Sequence, residues 1–367
     1  MVCYSKKAKV FAGINSLWKG VYDTVLPVLY NCVMRVPFEE MKAEFKRVFM
    51  KYGMDEPKAD ICARVHTESS LDGIYSHGSN RVSRFIGYVK DGWVDVNAEP
   101  SLEKSFGAIE VYNGNMGPGI LNALFCADRG IELAMEHGIG LVGIRNTTHW
   151  MRGGTYGLYA ASKGYVTISW TNTESCMPPW GGKDCKLGNN PFVMAAPGDT
   201  DPVMIDMAMS QYAYGKLQVT RLAGQKLPFP GGFDKDGNIT DDPGAIEESM
   251  RILPTGYWKG SSFAFMLDIL GAILSDGVGA ADIDGIGKGS CGGASQIFIL
   301  IDPARVSSRE HICETIKKAK EYIKSSAPAE GARDIWYPGE DYVKNRAENL
   351  ENGILIDDGV WAEIKSL

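Results

Sequence analysis

With 367 residues, 44% of them hydrophobic, 10% aromatic and 23% charged, the chain has a globular composition and length enough for two packed units, which excludes disordered, collagen-like and coiled-coil classes. Its 38 Lys+Arg against 45 Asp+Glu leave a formal charge of −7, so its field repels nucleic-acid phosphate and anionic lipid, and neither is expected as a partner. Eight cysteines at Cys3, Cys32, Cys62, Cys126, Cys176, Cys185, Cys291 and Cys313 show no Cys-x-x-Cys pair. That pattern implies a reducing, cytoplasmic setting in which thiols serve as small hydrophobes.

Residues 1–33 carry Lys6, Lys7 and Lys9 before a moderately apolar stretch, but Lys19, Asp23 and Pro27 interrupt it and no small-residue cleavage site follows. We expect 1–33 to be a leader without structure of its own, with Met34 as the true start; a membrane-binding amphipathic arm is the alternative. Beyond it, Phe38, Met41, Phe45 and Phe49 recur on one face, break at Gly53 and restart near Pro57, which predicts a helix pair. Residues 120–137 have the strongest helical pattern and end at Gly138, where a glycine C-cap fits. A buried strand at 140–144 follows, then a helix at 157–162 and strands at 165–171, 191–196 and 203–207, a mixed α/β middle.

Residues 231–240 are turn-rich, and Asp234, Asp236 and Asn238 invite comparison with a calcium loop. The comparison fails, because the required glycine and glutamate positions hold Ile239 and Ala245, so a hairpin or surface loop is expected. A near-continuous apolar helix at 263–274, a strand at 296–301, and a tail of helix, loop, helix, strand and helix complete the chain. No histidine and carboxylate pair has ligand spacing, so no metal is expected.

Two glycine patterns, Gly138-Ile-Gly140-Leu-Val-Gly143 and Gly287-Lys-Gly289-Ser-Cys-Gly292, formally match a dinucleotide fingerprint. Neither leads from a strand into a helix N-terminus, where free amides hold a pyrophosphate, so both read as turns. Among five histidines, His66, His137 and His311 sit on helical patterns and read as structural. His77 lies in Tyr75-Ser-His-Gly-Ser-Asn-Arg81, where an imidazole able to exchange a proton near neutrality stands close to a guanidinium shaped for a carboxylate. His149, in Arg145-Asn-Thr-Thr-His-Trp-Met-Arg-Gly-Gly154, follows a strand end, where ligand sites gather. Asp206 inside an apolar strand is either a buried hydrogen-bond hub or a functional carboxylate.

Taken together, Ser-His-Gly-x-Asn-Arg, Asn-x-x-His, Gly-x-Asn-Pro, Asp-Met-Ala-x-Ser and the Lys259-Gly260 pair, in this order, resemble the type-2 malate/L-lactate dehydrogenase family from about Met34 to Leu367. The tryptophan-bearing segments around Trp150, Trp180, Trp258 and Trp361 narrow the resemblance to a branch that reduces a sugar-derived acid. The resemblance implies a mixed α/β, non-Rossmann fold, with a mainly helical domain from 34–105 plus 257–367 around an α/β cofactor domain at 106–256, assembled as a homodimer. It also implies a nicotinamide-dependent reductase of 2-oxo acids, with NADH favoured and NADPH open. Carried over by motif, the proton donor falls on His77. Cofactor contacts fall on Pro202, Val203, Met204, Ile205, Asp206, Met207 and Ala208, on Trp258 and Lys259, and on Gly339, Glu340 and Asp341. Arg81 or Arg152 would clamp the substrate carboxylate, Ser76, His149 and Arg152 would hold the rest of the substrate, and Asp206 would raise the pKa of His77 if the two meet. Asn189 and Ser79 depart from the family pattern and leave the substrate open, from oxaloacetate, pyruvate or an imino acid to a sugar acid. A sugar-acid binding protein without catalysis is the distant alternative.

Overall fold

The computed structural model describes residues 33–198, 201–330, 332 and 334–367. The expected leader therefore lies outside the described residues except for Val33, which opens strand β1 (Val33–Val36). Helix α1 (Phe38–Lys51) carries Glu39 and Glu40 in its first turn and Lys51 in its last, as the helix dipole favours, and buries Met41, Phe45, Val48 and Phe49. Helix α2 (Glu56–Leu71) starts with proline in its first turn and stops at Asp72. Gly73 then turns the chain at a φ of +83°, and a Cβ there would lie 2.8 Å from Asn345 Nδ2, so both conformation and space call for glycine. Two 3-10 turns, Tyr75–His77 and Ser79–Arg81, lead into α3 (Val82–Lys90).

A hairpin of β2 (Ser101–Phe106) and β3 (Ile109–Asn113) follows, which the sequence reading missed because every residue of β2 is exposed and no alternation marks it. Then come α4 (Gly119–His137), closed by Gly138 at φ +84°, β4 (Ile139–Thr147), α5 (Gly154–Ser162) and β5 (Val166–Thr171). A small ribbon of β6 (Ser175–Met177) and β7 (Leu187–Gly188) precedes β8 (Phe192–Ala196), β9 (Val203–Met207) and α6 (Tyr214–Leu222). The turn-rich stretch is the expected hairpin: β10 (Gly232–Phe233) pairs with β11 (Ile239–Thr240), and Asp234 Oδ1 accepts the amides of Asp236 and Asn238 at 2.9 and 2.8 Å. The remainder is α7 (Pro243–Ser249), α8 (Trp258–Ser275), α9 (Ala280–Ile286), β12 (Ala294–Ile301), α10 (Arg309–Lys324), α11 (Glu340–Asn352), β13 (Ile354–Asp357) and α12 (Asp358–Ser366). Among the described residues no single helix is long and apolar enough to cross a membrane.

Seven strands form one sheet in the order β2-β3-β4-β12-β5-β8-β9, in which β3 and β4 alone run parallel. Strand β12 sits at its centre, and its alternate side chains enter two cores. Phe298 and Leu300 meet α4 and α5, while Ile297 joins Trp170, Ala264 and Leu267 under α8. This corrects part of the sequence expectation: residues 257–367 do not belong wholly with the helical layer, because α8 and β12 are built into the sheet. The strand itself was legible, but its helical flanks misassigned it. The last elements do join the helical core, where Ile354, Ile356, Trp361 and Ile364 pack with Phe45, Phe49 and Val65, and β13 pairs antiparallel with β1.

Candidate functional site

The chain between α2 and α3 winds tightly, so that Ser76, His77 and Arg81 project from one pair of turns. Ser76 Oγ lies 3.0 Å from His77 Nδ1 and fixes the ring, which leaves Nε2 for exchange with a ligand. Below the turns the packing is tight. A Cβ on Gly78 would fall 2.2 Å from Ser70 Oγ, and Ser79 N donates to that same oxygen at 2.8 Å. His66 is buried there among Phe45, Phe49 and Phe85 and donates Nδ1–H to Cys62 O at 2.8 Å, the structural role expected of it.

His149 stacks on His77, with ring centroids 5.6 Å apart and planes 23° from parallel. Its Nδ1 accepts Met151 N–H at 2.9 Å, so a neutral His149 carries its proton on Nε2 and offers a donor there. Trp150 anchors this loop in the sheet core, where it contacts Tyr156 and Phe298 and its carbonyl accepts the Tyr156 hydroxyl. Met151 takes a left-handed φ of +63°, and the strained turn delivers Arg152 inward. Both imidazoles are held neutral. Crowding by surrounding protein first, then the charges of Arg81 and Arg152, push His77 down to about 4, and burial first, then Arg81 and His77, lower His149 well below its ordinary value.

The two arginines differ. Arg81 makes no ion pair among the described residues, and its buried Nε finds no partner there. Arg152 is committed to the carboxylate of Asp72, which also takes Arg346 Nε at 2.7 Å. Asp72 is only 1% exposed, and the sequence reading missed it because nothing near it in the chain marks a partner 80 residues away. The expectation that Arg152 is as available to a substrate carboxylate as Arg81 is therefore corrected: it arrives already paired.

Asp206 does not meet His77. Its Oδ2 accepts Gly154 N–H at 2.7 Å, at the N-terminus of α5, where the helix dipole favours an anion. A Cβ on Gly154 would lie 2.9 Å from that oxygen, so the glycine lets the carboxylate in. Burial raises the Asp206 pKa, while the Gly154 amide and Arg152 hold it back. The expected raising of His77 by Asp206 is absent, since the charges acting on His77 are cations. The β4-to-α5 turn resembles a phosphate-binding turn in outline, but the chain's own Asp206 carboxylate occupies the amide at its helix end.

Two of the three expected cofactor stretches meet directly. Met204 N donates to Pro338 O at 3.3 Å, and Gly339, at φ +93°, brings the start of α11 against β9; a Cβ there would lie 3.3 Å from both Met204 N and O. Past the end of β9, Met209 O accepts Thr255 N–H at 2.8 Å, three residues before Trp258. Trp258 is exposed with Lys259 Nζ 5.9 Å from its ring centre, and Trp180 lies 5.3 Å from Tyr257.

Comparison with known proteins places the chain in a family. The malate/L-lactate dehydrogenase family matches residues 36–365. A curated relative, 2,3-diketo-L-gulonate reductase of Escherichia coli (strain K12), is 45% identical over 334 residues, which cover 91% of this chain and 100% of that protein. Among solved structures, malate dehydrogenase from Pyrococcus horikoshii OT3 superposes with a TM-score of 0.82 at 28% identity, covering 90% of this chain and 93% of that one. Sulfolactate dehydrogenase from Methanocaldococcus jannaschii gives 0.83 at 31% identity, with 91% and 96% covered.

Proposed function

From the premise that the chain belongs to the malate/L-lactate dehydrogenase family, we propose that it is an NADH-dependent reductase of a sugar-derived 2-oxo acid, converting 2,3-diketo-L-gulonate to 3-keto-L-gulonate. The observation that carries this reading is the half-buried Arg81, without an ion-pair partner among the described residues, beside a neutral, stacked histidine pair, in a chain so similar to a reductase of that acid. Such a site wants an anion next to an acid–base group.

The nicotinamide, when bound along β9, supplies the hydride. The protein's own groups do the rest. Arg81 offers its guanidinium fork to the substrate carboxylate. That carboxylate offsets the positive charge that depresses His77, so the imidazole takes up a proton as substrate binds and returns it to the oxygen of the reduced carbonyl. Ser76 keeps the ring oriented, and His149 Nε2–H donates to a neighbouring substrate oxygen. In oxidation the neutral His77 already present is the base. Asp341, in the first turn of α11 beside a Glu340 already paired with Lys324, suits ribose hydroxyls and disfavours an added phosphate, which supports NADH over NADPH. A homodimer is part of this reading. Phe263, Met266, Leu270 and Ile273 lie exposed on one face of α8, a stripe that a second copy would cover. The free thiols among the described cysteines accord with a cytoplasmic setting.

The test follows NADH oxidation by absorbance, with the full chain and 2,3-diketo-L-gulonate, oxaloacetate and pyruvate at equal concentration. The expected result is the highest kcat/KM for the sugar acid. Preference for pyruvate or oxaloacetate would remove the proposed substrate and keep the chemistry, and binding without turnover would make the protein a sugar-acid binder.

A further inference from the structure

Asp72 has no place in the chemistry above, yet it is among the most enclosed charges in the molecule. It caps the C-terminal end of α2, three residues before the turns that carry His77. One carboxylate oxygen holds Arg152 and the other holds Arg346 of α11, while its carbonyl accepts Asn345 Nδ2 at 3.2 Å and the neighbouring Leu71 carbonyl accepts Asn349 Nδ2 at 2.8 Å. The carboxylate thus sits between the substrate loop and the helix that begins at the cofactor groove.

The distribution of charge around the histidine pair then becomes uneven. Arg152 is 6% exposed, lies 5.6 Å over the Tyr342 ring, and faces Asp72, with Asp206 also within its field. Arg81 has no carboxylate within ion-pair distance among the described residues. Glu174, whose charge reaches it, is hydrogen-bonded to Ser290 Oγ at 3.0 Å. Arg84, one turn further, is exposed to solvent and screened.

We propose that Asp72 is a positioning residue that sets the charge preference of the site: by holding the Arg152 guanidinium it leaves Arg81 as the guanidinium beside the histidine pair that is open to a ligand, so the site takes 2-oxo acids with one carboxylate over those with two. A second carboxylate reaching toward Arg152 meets a guanidinium already bonded to Asp72 and must compete with that buried carboxylate for it. The proposal rests on the reading of the site as one for 2-oxo acids, and not on which sugar acid it takes.

The experiment compares NADH-dependent reduction of pyruvate and oxaloacetate by the full chain and by Asp72→Asn, with folding checked by circular dichroism and thermal melting. Where turnover is too slow to read, dissociation constants of oxamate and oxalate measured by calorimetry with NADH present take the place of rates. The native protein is expected to favour the monoanion. Asp72→Asn releases Arg152 and raises the dianion-to-monoanion ratio by roughly tenfold or more, and Asp72→Glu restores the native preference. A merely structural role would lower the melting temperature and leave the ratio unmoved, and an unchanged ratio in folded Asp72→Asn overturns the proposal. So does a native protein that prefers the dianion, which decides the matter even where the variant does not fold. Failure on 2,3-diketo-L-gulonate alone counts against the proposed substrate and leaves this ratio readable.

Discussion

His77 shows how one residue's surroundings fix the direction in which it works. Half-buried, crowded by surrounding protein and faced by Arg81 and Arg152, its imidazole is pushed down to about 4, so near neutrality the free protein holds the base form. Reduction needs the acid form, and kcat/KM reports the free protein. The fraction protonated falls tenfold per unit above the folded pKa, so kcat/KM for reduction is expected to fall steadily between about pH 5 and 8. In the direction of oxidation it should stay level over that span and drop only as the pH approaches about 4, where the base is lost. Initial rates in both directions across that range test the sign. His77→Ala should lose about 10²–10⁴ in turnover and flatten both profiles, and a folded variant with native rates would remove the residue from the mechanism.

At the scale of elements, the start of α11 depends on a single glycine. Gly339 holds φ at +93°, and a Cβ there would lie 2.9 Å from Tyr342 Cε1 as well as against the Met204 backbone. Gly339→Ala is therefore expected to cost about 1–3 kcal/mol in thermal or denaturant unfolding and to raise KM for NADH more than it lowers kcat, because it shifts α11 away from β9. A native KM for NADH in that variant would detach α11 from the cofactor groove. Legibility in the sequence followed element type. Helix α4 and strand β12 announced themselves, because one has a broad 3.6-residue apolar stripe and the other an unbroken apolar run. Strand β1, the β2–β3 hairpin and helix α6 were invisible, since their pairing partners or packing surfaces, not their own periodicity, decide them. The same division runs through the site. Ser76, His77 and Arg81 were readable because they sit within one short loop, but Asp72 and Arg346, 274 residues apart, become partners only once α2 and α11 are packed.

For the molecule as a whole, the unusual surface is α8. Gly260, Ser261, Ala264, Leu267, Gly271 and Ser275 face inward, as the small residues of a helix lying close on a sheet do, so the larger apolar side chains are left outside. Phe263, Met266, Leu270 and Ile273 recur at spacings of three and four residues, with Phe265 beside them and Trp258 at the helix start. A stripe of that length left in water is unfavourable by the same hydrophobic term that folds the chain, roughly 25 cal/mol per Å² of apolar surface. Because Trp258 belongs both to this stripe and to the expected cofactor groove, covering it in a symmetric dimer would also shelter the groove. The homodimer reading therefore predicts that light scattering gives twice the chain mass, and that Met266→Glu with Ile273→Glu halves it while circular dichroism stays native and KM for NADH rises. A native chain that runs as a monomer would end that reading, and a double variant that stays dimeric would move the interface off α8.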